Sequence, residues 1–175
     1  MAEVERWLGQ NLNYNPTGER TNLDPRSIAM KISHHSESTE LPDEWLIAAG
    51  MSKFVRSAAS YRCDHAAAGG RRVCLIPILD IGPVRRTSGV PVFNANTWAG
   101  ISARERVEHI LRAFVVDDAL PPIELTKQAG RYPYRLNDGV HRLYCSIAAG
   151  FTEIPAVMFI DLEALDAGRD IEELC

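Results

Sequence analysis

The chain lacks any paired-cysteine pattern. Its four cysteines, Cys63, Cys74, Cys145 and Cys175, are scattered, with no C-x-x-C spacing. That excludes the common zinc-ribbon and thioredoxin-type signatures and predicts free, mostly buried thiols. There is no uninterrupted apolar run of membrane-spanning length. The opening "MAEVERWLGQ" is acidic and broken by charge, unlike a secretory leader, so the expected location is cytoplasmic. Internal repeats and low-complexity tracts are missing, and so is any helix-turn-helix reader for DNA. Lysine is scarce: three lysines stand against sixteen arginines.

What is present is ordinary for a globular protein of 175 residues, with 46% hydrophobic and 24% charged side chains. The charge is unevenly spread. Residues 50–142 carry a net +6 within a chain of net −4, and residues 153–175 carry −6. Arginine's planar fork suits phosphate, so the basic block is compatible with a nucleotide or polyanion partner. A solvated surface explains the same composition equally well.

The first forty residues read as loop, punctuated by "NYNPTGERTN", and "HHSESTE" reads as a linker. His34-His35 offers two metal-type ligands, but no third lies nearby in sequence. From Leu41 the pattern turns helical. "LPDEWLIAAG" has Pro42 and acids at its start and Gly50 as its stop, and "SKFVRSAASYRCDHAAAGG" is expected to continue helically. Residues 1–70 therefore read as a mostly helical N-terminal extension, in which Trp7 and Trp45 are packing or docking residues.

Residues 71–175 read as a separate α+β body with an acidic tail. "RVCLIPILDI" suits a strand, with Pro77 favouring an edge position or a bulge. A long loop from Gly82 to Gly100 holds Arg85-Arg86. Ser102 and Glu105 form a capping box for a helix whose apolar stripe is Val107, Ile110, Leu111 and Phe114. "PPIELT" and "YPYRL" read as a hairpin, and "IPAVMFI" as a buried central strand.

Between the last two lies "RLNDGVHRLYCSIAAGF". Leu143 and Ile147 mark a helix that Gly150 ends, with Asn137 or Asp138 as its expected cap. Gly139 permits a tight turn and close approach of a ligand. His141 and Arg142 then fall in the first turn, where the helix dipole disfavours cations. A bound anion there would satisfy the free N–H groups, the dipole and the arginine together. Alternatively, Asp138 and Glu153 merely offset the charges.

The ordered set Pro121-Pro122-Ile123, Tyr132 and Tyr134, Gly139-Val140-His141-Arg142, Ala149-Gly150 and Ile154-Pro155-Ala156 resembles the ParB/sulfiredoxin-like superfamily over about forty residues. The resemblance implies a small mixed sheet with packed helices that holds ATP or another nucleotide. The phosphates would sit against Gly139, Val140, His141 and Arg142. Arg104 and Arg106, on the preceding helix, are further phosphate candidates by analogy of region. Val140 stands where sulfiredoxins keep their catalytic cysteine, so sulfinic acid reduction is not expected. No reader domain follows the fold, so ParB-type partitioning is not expected either.

Several functions fit this resemblance. The first is a nucleotide hydrolase, with ATPase and DNase activity as in plasmid fertility inhibition factors of the oncogenic-suppression type, which block conjugative DNA transfer. In that scheme His141, Arg142 and Asp138 are catalytic candidates, with Mg²⁺ as helper, and Glu105 and Glu108 are alternative carboxylates. The expected partners are nucleotide, DNA by nonspecific contact, and a protein of a DNA-transfer apparatus. The alternatives are a small-molecule kinase on the same fold and a non-catalytic, nucleotide-gated interaction module.

Overall fold

The structure is a computed structural model that describes residues 30–34, 37–84 and 100–159, the side chains of 30–33 and 37–40 excepted. The expected loop at 85–99, with Arg85-Arg86, the acidic tail from 160, and Trp7 lie outside the described residues.

The chain begins with a two-stranded antiparallel ribbon, β1 (Met30–His34) and β2 (Glu37–Leu41). The linker expected at "HHSESTE" is thus part of a hairpin. β1 packs on a helix far along the chain. His34 is buried, with Nε2 3.4 Å from the Ile78 carbonyl and its ring edge-on to Tyr144 at 6.1 Å. It is therefore not a metal ligand displayed on a loop.

Helix α1 (Asp43–Ala48) starts after Pro42 and stops at Gly50, as the sequence pattern requires. The helical continuation beyond it does not form. Residues 51–53 and 66–68 make single 3₁₀ turns, and the intervening segment runs without regular structure. Its backbone bonds to distant partners instead. The N–H groups of Thr152 and Glu153 both donate to the Ala59 carbonyl, and Leu120 accepts from the Asp64 N–H and donates to the Arg62 carbonyl. Ring packing adds to this: Phe114 stacks on Tyr61 at 5.8 Å and meets Phe151 edge-on at 5.1 Å. Tertiary bonds have overridden the helix propensity of an alanine-rich sequence.

A four-stranded sheet follows, in the order β3-β6-β4-β5, from β3 (Val73–Pro77), β4 (Ile123–Lys127), β5 (Tyr134–Asp138) and β6 (Glu153–Met158). β6 is antiparallel to β3 and parallel to β4, so the sheet is mixed. β3 lies on the edge, where Pro77 is tolerated, and β6 is central and buried. Helix α2 (Ala103–Val115) carries the expected capping box and buries Val107, Ile110, Leu111 and Phe114. Each of those side chains contributes about 1.5–3 kcal/mol of burial. Helix α3 (Val140–Ala148) enters from β5 and packs on α2 and β1. The fold class is therefore α+β, as the sequence indicates.

One hydrophobic core runs through all of this. Leu41, Leu46, Met51 and Tyr61 share it with Ile76, Leu111, Leu125, Leu143 and Ile154. The core thus crosses the boundary expected at residue 70.

Among the cysteines, Cys63 and Cys145 are free thiols. Cys74 is disulfide-bonded, against the expectation of a free thiol there.

Candidate functional site at the start of helix α3

The site begins where β5 becomes α3. Gly139 has φ 100 and ψ 23, a left-handed conformation that L side chains rarely adopt. The space is as restrictive as the backbone. A Cβ at 139 would lie 2.5 Å from Ile123 Cγ2 and 3.1 Å from an Arg142 guanidinium nitrogen. The Leu143 N–H donates to the Gly139 carbonyl at 2.9 Å, which closes the first turn. The N–H groups of Val140, His141 and Arg142 precede that bond and have no intrahelical acceptor.

The cap differs from expectation. No side chain caps the helix. β5 persists through Asp138, which aims the two expected caps elsewhere. The Asn137 amide donates to the Thr126 hydroxyl on the neighbouring strand. Asp138 accepts from the Arg142 guanidinium at 2.9 Å, one turn along.

Arg142 is the most constrained polar side chain here. Only 18% of it is exposed, against 72% for Asp138. Its Nε is buried and has no hydrogen-bond partner among the described residues. An ion pair with so exposed a carboxylate contributes less than about 1 kcal/mol, a poor return for a guanidinium held mostly out of water. Tyr61 lies close by and donates its hydroxyl to the Pro121 carbonyl at 2.8 Å. Burial pushes the Tyr61 phenol far up, and the positive charge of Arg142 opposes that rise. The sequence carried no signal for Tyr61, because it belongs to the segment expected to be helical.

His141 and Val140 are both half-buried in the first turn, and Val140 packs on the core. Cys145 lies deeper in α3, fully buried, and burial alone pushes its thiol up. The start of α3 therefore offers no activated thiol.

Of the residues expected from α2, Arg104 is committed elsewhere. Its Nε donates to Glu108 at 2.6 Å, and its other arm lies 3.7 Å from Glu44 on α1. Arg106 donates to the Ile101 carbonyl at 3.1 Å. Glu105 is held by the capping box, and the Ser102 hydroxyl and N–H keep its carboxyl below the usual range. Glu105 and Glu108 thus have structural partners on α2, and Asp138 is the carboxylate that meets Arg142.

Among the described residues, no group of three or more His, Cys, Asp or Glu is placed to hold a metal ion. A magnesium ion needs less, since one or two carboxylates plus substrate phosphates hold it. Asp138 is the residue that fits that role. A cavity of 320 Å³, lined by Phe54, Tyr61, Arg62, Phe114, Asp117 and Phe151 among others, shares Tyr61 with this site but includes no residue of the α3 start. No helix among the described residues is long and apolar enough to cross a membrane.

No protein-family model matches the sequence. No curated protein matches it either.

Proposed function

We propose that the start of α3 binds the phosphates of a nucleotide, and that the protein hydrolyses it. The observation that carries this reading is Arg142. Its guanidinium is mostly buried, with an orphaned Nε, beside three N–H groups at a glycine-capped helix start. A phosphate would accept from those N–H groups and from Arg142 by charge-assisted bonds, displacing Asp138 from the guanidinium. The ordered motifs around it resemble the ParB/sulfiredoxin-like superfamily, which supports ATP or a related nucleotide as the ligand.

In this reading Arg142 and the helix end stabilise phosphoryl charge. His141 donates a hydrogen bond or moves a proton. Asp138, once released, is free to accept from water or to help hold magnesium. DNase activity and inhibition of conjugative transfer through a transfer-apparatus partner extend the same resemblance.

Thermal shifts with ATP, ADP and CTP test the binding, and phosphate release and plasmid nicking with Mg²⁺ test the chemistry. Stabilisation by a nucleotide with turnover is the expected result. Stabilisation without turnover would replace the hydrolase with a nucleotide-gated binding module, and no stabilisation by any nucleotide would remove the site.

A further inference from the structure

The 320 Å³ cavity lies between the segment 53–62, the end of α2 and Phe151. Its volume falls in the range of about 300–1,000 Å³ that small-molecule sites occupy. One wall is a chain of rings. Phe54 meets Phe151 edge-on at 6.3 Å, Phe151 meets Phe114 edge-on at 5.1 Å, and Phe114 stacks on Tyr61 at 5.8 Å. Val55 and Val115 also line the cavity, and both are exposed. The segment that carries Phe54 and Tyr61 is tied down between them. The Arg56 guanidinium donates to the Gly150 carbonyl, and the Ala59 carbonyl accepts from Thr152 and Glu153.

The rim is charged, and not as a helix end favours. Asp117 and Asp118 follow the last turn of α2, where the helix dipole disfavours anions. The Asp118 N–H donates to the Ala113 carbonyl at 2.8 Å and the Asp117 N–H to the Phe114 carbonyl at 3.4 Å, the bond pair of a left-handed helix cap. Glycine or asparagine fills that cap position at least cost, yet Asp117 holds it at φ 53. Among the described residues Arg62 is the cation that pairs with both acids, 3.6 Å from Asp118 and 4.0 Å from Asp117. Lys53 lines the same cavity and has no carboxylate partner among the described residues. The cavity therefore combines an unpaired ammonium, two carboxylates that share one arginine, and an aromatic wall.

We propose that this cavity binds a free amino acid with an aromatic side chain. The side chain packs against the rings, which favour a further ring edge-on or offset. The ligand's ammonium donates to Asp117 and Asp118, and its carboxylate accepts from Lys53. An amine alone leaves Lys53 unmatched, and a carboxylic acid alone leaves the two acids to Arg62. A residue inside a peptide carries neither charge on its backbone. The cavity includes no residue of the α3 start, so the inference does not depend on the nucleotide reading.

The test is calorimetric titration of the full chain with L-phenylalanine. Saturable binding is expected. Phenethylamine, which lacks the carboxylate, 3-phenylpropionate, which lacks the ammonium, and N-acetylphenylalaninamide, which lacks both charges, should each bind about tenfold or more weakly. L-serine, which keeps both charges and lacks the ring, should be weaker by about tenfold or more as well. Lys53→Gln and Asp117→Asn alter exposed side chains, and asparagine keeps the left-handed cap. Each should weaken L-phenylalanine about fivefold or more without lowering the melting temperature of the free protein. No saturable binding of L-phenylalanine by the wild type overturns the proposal. It is equally overturned if any of the three analogues or L-serine binds as tightly as L-phenylalanine, or if both variants bind like the wild type.

Discussion

A methyl group at position 139 would meet Ile123 at 2.5 Å and force a strained backbone at φ 100. Gly139→Ala should therefore cost about 2 kcal/mol or more in urea unfolding. A cost under about 0.5 kcal/mol, the size of an ordinary surface change, would show that the turn has other solutions. Position 145 gives a second residue-scale prediction. Cys145 is fully buried with its thiol pushed up, and Cys63 is half-buried with its thiol raised by burial and by Asp64. In the folded protein, thiol alkylation should leave Cys145 unmodified until denaturant is added. Fast native labelling of Cys145 would mean α3 opens, and would return sulfur chemistry to consideration. Asp138 meets Arg142 from the last residue of β5, across the Gly139 turn, and not from a shared helix face. Yet the sequence offered Asn137 or Asp138 as a cap. It could not show that β5 would run through 138 and turn that carboxylate away.

Elements with a local chemical signature were legible in advance. The capping box, the apolar stripe of α2, the β4–β5 hairpin and the Gly150 stop all depend on neighbours within a few residues. Ser102→Ala should lower stability by about 1 kcal/mol at neutral pH. The Glu105 carboxyl is held below its unfolded value, so its contribution is present above that value, about pH 4.3, and is lost as pH falls through the folded value. The gap between wild type and Ser102→Ala, measured by thermal unfolding, should therefore narrow on acidification. A gap that widens below pH 4 would contradict the box. The 51–70 segment was misread for the opposite reason. Its alanines favour helix locally, but its backbone is bound by Leu120, Thr152 and Glu153, partners 56 to 94 residues away. No pattern within the segment encodes them.

At the scale of the molecule, the core joins residues 41–70 to the sheet. A fragment beginning at residue 71 would lose Leu41, Leu46, Met51 and Tyr61 from that core. It should show no cooperative thermal transition, whereas a helical appendage could be removed with little loss. The same integration brings Tyr61 within electrostatic reach of Arg142, so the candidate site is a product of the whole fold. The glycine, histidine and arginine of that site were readable from the sequence. The low exposure of Arg142 was not, because it is set by tertiary packing that no local pattern encodes.

The central claim is that Arg142 and the start of α3 hold a nucleotide phosphate. Calorimetric titration of ATP into wild type and Arg142→Ala tests it most directly. The account predicts saturable binding by the wild type, weakened about 10- to 150-fold in the variant, as expected from losing a charged hydrogen-bond partner. Equal affinity in the two proteins, or no binding by the wild type, would contradict it.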